Sequence, residues 1–129
     1  MNMTPADFRV LVAEDNADLS AAVCDLIDTE PDMTVVASID NCGALLTTAR
    51  DTRVNVVVLD LNLAGESSVP AMMSVQRELP DVAVVVFSGY DSQDISSALA
   101  SLGHFEYVSK TGDPAELLGA IRRVRAGSR

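Results

Sequence analysis

Five short apolar runs, each followed by a stretch of helical spacing, constrain this chain more than any other feature. They are Phe8–Ala13, Met33–Ile39, Val54–Leu59, Ala83–Phe87 and Phe105–Val108. They are rich in valine, and the middle ones are apolar without alternation, as strands covered on both faces should be. Between the first two, Leu19, Ala22, Val23, Leu26 and Ile27 form one apolar helical stripe. Leu45, Leu46 and Ala49 mark a second helix after Asn41. A third is expected from Ser68 or nearby, with Pro70 in its first turn and Pro80 as its stop. A fourth is expected from Asp91 or Ser92 up to Gly103, a helix stop. The fifth has the clearest start, Asp113-Pro114-Ala115-Glu116, where an Asp cap, an early Pro and a Glu in the first turn all favour the positive helix end. Leu117, Leu118, Ile121 and Val124 supply its apolar stripe. Strands alternating with helices predict an α/β domain with a parallel sheet and right-handed crossovers.

With 129 residues the chain is long enough for one domain with a real core. Nineteen acids against nine bases give a net charge of -10. Four of those bases, Arg122, Arg123, Arg125 and Arg129, crowd the C-terminal end, and the single lysine is Lys110. So acidic a body argues against direct nucleic-acid binding, which needs clustered positive charge. The longest apolar run, Val82–Phe87, is far shorter than the ~20 residues of a membrane-spanning helix. The first residues lack the basic start and apolar stretch of a signal peptide, so a cytoplasmic location is expected. Cys24 and Cys42 lack metal-type spacing and are expected as free thiols.

In an open parallel sheet the functional crevice lies beyond the carboxyl ends of the strands. Glu14 and Asp15 follow the first strand, Asp60 the third and Ser88 the fourth, and Lys110 lies two residues past the fifth. With the first strand central, these loops converge on three carboxylates, a hydroxyl and an ammonium. Packed carboxylates repel unless a cation neutralises them, and Mg²⁺ suits a site with carboxylates, waters and a phosphate oxygen. Lys110 is expected to pair with Asp60 when the site is empty and with phosphate when it is filled. A carboxylate that accepts a phosphoryl group needs this set of groups. Taken singly, each has a plainer reading: a solvated turn, a helix cap, a Ser-Gly turn, a surface lysine. Their common placement at strand ends is what favours the chemistry.

The blocks Val12-Ala13-Glu14-Asp15-Asn16, Val56-Val57-Val58-Leu59-Asp60-Leu61-Asn62-Leu63, Val86-Phe87-Ser88-Gly89 and Tyr107-Val108-Ser109-Lys110 resemble, in order and spacing, the CheY-like receiver domains of two-component response regulators. The resemblance implies a (βα)5 flavodoxin-like receiver fold with strand order 2-1-3-4-5. It implies one domain over residues 1–129, with a core of about 7–126 and a tail or linker start at 127–129. It implies that Asp60 accepts a phosphoryl group from the phosphohistidine of a sensor histidine kinase or phosphotransfer protein, with Mg²⁺ as cofactor. Asp15 then matches the direct metal ligand beside Asp60 itself, Glu14 a ligand through water, and Asn62 the residue whose backbone carbonyl completes the shell. Ser88 and Lys110 match the groups that bind phosphoryl oxygens, and Tyr107 the aromatic switch residue that turns inward when Ser88 moves. Such a domain is a signalling module, not an enzyme, though it assists its own phosphotransfer and dephosphorylation. Tyr90, at the rim, is expected to screen the acyl phosphate from water, or else to be a surface tyrosine packing on the fourth helix.

Four positions depart from the family's common pattern. Ala64 stands for proline, Ser68 for glycine, His104 for a small residue, and Thr111 for the proline after the lysine, which puts a cis peptide there in doubt. The segment Leu117–Gly127 resembles the last receiver helix of regulators carrying a LuxR-type helix-turn-helix domain. That implies an output domain outside this chain, with a stand-alone receiver acting on a protein target as the alternative and room for a homodimer. A haloacid-dehalogenase-type phosphatase would need an acid at Asn62, and in a flavodoxin-type first loop Glu14 and Asp15 would repel the phosphate. A degenerate receiver working without phosphorylation is disfavoured by retention of every polar group.

Overall fold

Strand β1 (Phe8–Ala13) lies inside a five-stranded parallel sheet. The computed structural model describes residues 8–89 and 105–127. In chain order β1 is followed by α1 (Ala17–Asp28), β2 (Met33–Ile39), a 3-10 turn (Cys42–Ala44) and α2 (Leu45–Asp51). Then come β3 (Val56–Leu59), β4 (Asn62–Leu63), β5 (Glu66–Ser67), α3 (Val69–Glu78), β6 (Ala83–Ser88), β7 (Phe105–Ser109) and α4 (Ala115–Gly127). The sheet order β2-β1-β3-β6-β7 is the expected 2-1-3-4-5, with the β4–β5 hairpin set apart as a second, antiparallel sheet. The fourth expected helix, His104 and Tyr90 lie outside the described residues.

The unbroken apolar character of the strands has a direct cause. Val10 and Val12 of β1, Val56 and Val58 of β3, and Val85 and Phe87 of β6 pack into one core with Val23 and Ile27 of α1 and Leu117, Ala120, Ile121 and Val124 of α4. The intervening residues Leu11, Ala13, Val57, Leu59, Val84 and Val86 pack into a second core with Leu45 and Ala49 of α2 and Met72 and Val75 of α3. With a period of two and helices on both faces, every position must be apolar. The β1–β2 ladder shifts register between Val10 and Leu11, leaving Val36 as the extra residue.

Local signals explain most helix boundaries. Asn16 caps α1, its side chain accepting from the Leu19 N–H at 3.0 Å. Asn41 does the same for the 3-10 turn through the Ala44 N–H at 3.0 Å. Asp113 accepts from the Ala115 N–H at 2.9 Å at the start of α4. The expected strand over Val54–Leu59 begins at Val56, because Val54 and Asn55 belong to the approach, where Asn55 Oδ1 accepts from the Arg9 N–H at 2.8 Å. The β6 and β7 strands each run one residue past the expected end. The α1 stripe is only partly covered: Val23 and Ile27 are buried, while Leu19 and Leu26 are half-buried and Ala22 is exposed. These three line an apolar recess with Phe87, Pro114 and Leu117.

Arg122 and Arg123, at the arginine-rich end, differ in burial. Arg122 is half-buried and reaches Glu30 Oε1 at 2.8 Å and Asp32 Oδ1 at 3.0 Å, stapling α4 to the α1–β2 connection. Arg123 is exposed and pairs with Glu106 at 3.1 Å. No helix among the described residues is long and apolar enough to cross a membrane.

Candidate functional site

The sheet ladder continues one residue beyond the strands and places the polar groups. Past β1, the Glu14 N–H donates to the Ile39 carbonyl at 3.0 Å. Past β3, the Asp60 N–H donates to the Ala13 carbonyl at 3.1 Å, and past β7 the Lys110 N–H donates to the Ser88 carbonyl at 2.9 Å. Three side chains that are far apart in sequence are therefore fixed at neighbouring strand ends by backbone bonds. Their convergence follows from the strand order.

Glu14, Asp15 and Asp60 each present a carboxylate oxygen within 4.8 Å of the others. Glu14 is 4% and Asp60 8% exposed, whereas Asp15 is open to solvent. Lys110 bridges the two buried acids, with Nζ 2.7 Å from Asp60 Oδ2 and 2.5 Å from Glu14 Oε1. It also lies 5.7 Å from the centre of the Phe87 ring. The Lys110–Asp60 pair matches the expectation, and the equally close Glu14 contact adds to it. Burial would lower the pKa of Lys110, but the hydrogen bonds and charges of Asp60 and Glu14 outweigh it and hold the group above its ordinary value. The carboxyl of Asp15 is lowered, chiefly by the Ala64 N–H, which donates to Oδ2 at 2.9 Å.

The remaining oxygens are held locally. Glu14 Oε2 accepts from the Asn16 N–H at 3.0 Å, and Asp60 Oδ1 from the Asn62 N–H at 3.1 Å. Glu14 Oε1 is buried, and its partner is the Lys110 ammonium. The Ser68 hydroxyl, fully buried, donates to the Asp60 backbone carbonyl rather than capping α3. Ser88 is fully buried at the end of β6, and the Tyr107 hydroxyl donates to its carbonyl at 3.2 Å. Beside the carboxylates a recess of roughly 520 Å³ is lined by Asp15, Ser20, Ser38, Asp40 and Asn41, among others.

A parallel α/β sheet with this acidic cluster at its carboxyl edge is matched over residues 10–122 by the family described as the response regulator receiver domain. The chain belongs to that family. Phosphorylation signalling is the receiver's general function. Among similar proteins, the nitrate/nitrite response regulator protein NarP of Escherichia coli is 27% identical over 95% of this chain and 57% of its own length. The transcriptional regulatory protein LiaR of Bacillus subtilis is 24% identical over 92% of this chain and 56% of its own length. The receiver thus spans little more than half of either relative. A LuxR-family response regulator from Aurantimonas superposes with a TM-score of 0.86 at 27% identity, covering 95% of this chain and 87% of that one.

Sequence reasoning named Glu14, Asp15, Asp60, Asn62, Ser88, Tyr107 and Lys110, and the structure gathers all seven around the carboxyl edge of the sheet. It missed Ser68 and Ala64 as site-holding residues, noting them only as departures. Nothing about an alanine in sequence signals that its N–H will meet a carboxylate 49 positions away. All described peptide bonds are trans, including Lys110–Thr111, where the Thr111 N–H donates to Ser109 Oγ at 3.1 Å.

The receiver family binds Mg²⁺ at such an acidic pocket, and the donor set here fits a hard divalent ion. Three carboxylates converge, one of them solvent-facing, and a buried oxygen is met by an ammonium. Glu14, Asp15 and Asp60 form the acidic group of this pocket.

Proposed function

We propose that Asp60 accepts a phosphoryl group from the phosphohistidine of a sensor kinase or phosphotransfer protein. The observation that carries this is the bridging of Asp60 and Glu14 by Lys110 within the three-carboxylate cluster. A carboxylate oxygen of Asp60 attacks phosphorus, the P–N bond breaks, and the imidazole leaves with a proton taken from solvent. Bound Mg²⁺ would supply positive charge to the transferring oxygens. Asp15, Asp60 and the Asn62 backbone carbonyl would ligate it directly, with Glu14 acting through water. Lys110, a flexible point charge, moves from the carboxylates to the phosphoryl oxygens, and the Ser88 hydroxyl binds another.

The phosphoryl group brings roughly -1.5 to -2 charge and three acceptor oxygens. Ser88 responds at its hydroxyl, and Tyr107 reads the response because its own hydroxyl already rests on the Ser88 carbonyl. Tyr107 and Val86 are register partners in the β6–β7 ladder, so the two positions move as neighbours. The surface beside β7 and α4 is then the output face. The module acts as a signalling switch rather than as an enzyme. By the likeness to the transcriptional regulatory protein LiaR, we infer that it serves as the receiver part of a transcription regulator, with a stand-alone receiver acting on a protein target as the alternative.

Intact-mass spectrometry after treatment with acetyl phosphate and Mg²⁺ tests this reading. The expected result is one added phosphoryl group, absent in Asp60→Asn. No addition, or addition that persists in Asp60→Asn, overturns it.

A further inference from the structure

The β4–β5 hairpin delivers hydrogen-bond donors to two members of the acidic cluster. From Asn62 comes the N–H on Asp60 Oδ1, and from Ala64 the N–H on Asp15 Oδ2. Ala64 and Gly65 are the two residues of the turn, with φ of 53° and 81°. Positive φ at both central residues defines a type I′ turn, whose twist suits a two-residue hairpin. Glycine takes that conformation freely, but alanine is disfavoured in it. The strain is retained in a hairpin fixed at both ends. Leu63 is fully buried, the Ser68 N–H donates to the Leu61 carbonyl at 2.8 Å, and the Ser68 hydroxyl holds the Asp60 carbonyl.

We propose that Ala64 is a positioning residue for the divalent cation, and this rests on the reading of Asp15 as a metal ligand. Asp15 is exposed at the end of β1, where an unrestrained carboxylate would sample several rotamers. The Ala64 N–H engages Oδ2 and fixes the carboxylate's direction, leaving its other lone pairs for the ion. Proline, common at this place in the family, has no N–H and cannot take φ of 53°. This chain therefore restrains its ligand by a means that a proline-bearing receiver lacks. An outer hydrogen bond to a metal ligand is typically worth about 10-fold or more in affinity.

The test compares Mg²⁺ binding by calorimetry in the native chain, Ala64→Gly and Ala64→Pro. Ala64→Gly keeps the N–H and relieves the strain, so it should bind Mg²⁺ within about 2-fold of the native chain. Ala64→Pro should bind about 10-fold more weakly. As a readout independent of that variant's folding, the Ala64 amide resonance of the native chain in EDTA should lie downfield and move upfield in Asp15→Ala. Equal or tighter Mg²⁺ binding by folded Ala64→Pro, or an Ala64 amide unmoved by Asp15→Ala, overturns the proposal. A native chain that binds no Mg²⁺ while its Ala64 amide responds to Asp15→Ala overturns instead the metal-site reading on which it rests.

Discussion

Replacing Lys110 with methionine keeps most of the length of the side chain and removes the charge that two buried carboxylates share. In the native protein the ammonium sits 2.5 Å from Glu14 and 2.7 Å from Asp60, while its side chain is 21% exposed. Without it, Glu14 and Asp60 present oxygens within 4.8 Å of each other. At an effective dielectric of about 20, their repulsion is at least about 3 kcal/mol. Removing one partner of a buried ion pair costs about 3–5 kcal/mol, and the partial exposure of Lys110 puts the expected loss near the lower end, about 3 kcal/mol. For a domain of this size that is a fall of about 10 °C in Tm. The sign with pH follows from proton uptake. Lys110 has its pKa raised by folding, so the stability that its charge contributes is complete below about pH 10.5 and lost above it. Across pH 5–8 the native chain therefore keeps this contribution. Mg²⁺ should narrow the deficit at pH 8, because a bound cation replaces the missing one. Circular dichroism melts in EDTA and in Mg²⁺ at several pH values measure all of this. A variant as stable as the native chain in EDTA at pH 8, or a deficit that Mg²⁺ does not narrow, would refute the reasoning.

Two further outcomes follow from groups around the site. Burial raises the pKa of the Cys24 thiol, and burial followed by the charge of Glu66 raises that of Cys42. Alkylation of the folded chain should accordingly accelerate with a midpoint above pH 9.0 for each cysteine, resolved by peptide mapping; a midpoint below 9.0 for either would contradict this. Ser68→Ala removes the donor to the Asp60 carbonyl at a fully buried position and should cost about 1 kcal/mol in urea unfolding; an unchanged or higher midpoint would show that bond to be dispensable.

The sheet was legible because burial on both faces leaves a compositional trace. Val56, Val57, Val58 and Leu59 divide between two cores, so no polar residue interrupts them. The site was legible for a related reason: parallel strands end at one edge, and residues that follow strand ends are brought together by topology alone. What stayed hidden depends on conformation or on distance along the chain. The β4–β5 hairpin has two residues per strand, too few for alternation to register. Its alanine with positive φ has no distinctive chemistry. The pairing of Arg122 with Glu30 spans 92 residues, and basic residues on a terminal helix look the same in sequence whether solvated or stapled. Lys110 was correctly assigned to Asp60, but only side-chain placement shows that Glu14 is as close.

That shared lysine bears on how a phosphoryl signal would leave the site. The ammonium that would turn toward phosphoryl oxygens also neutralises Glu14, whose Oε2 is tied to the Asn16 N–H at the cap of α1. The backbone of Lys110 hangs from the Ser88 carbonyl, the same oxygen that accepts the Tyr107 hydroxyl. A displacement of Lys110 toward new negative charge therefore acts on both sides of the sheet edge. It would uncover Glu14 next to α1 and pull on a carbonyl shared with Tyr107 at β7. Under the proposed phosphotransfer, charge compensation and a movement of Tyr107 would be one event, because a single carbonyl and a single ammonium serve both. Tyr107→Phe would separate the two: the phosphoryl group would still be received, while the pull on β7 would lose the hydroxyl that transmits it.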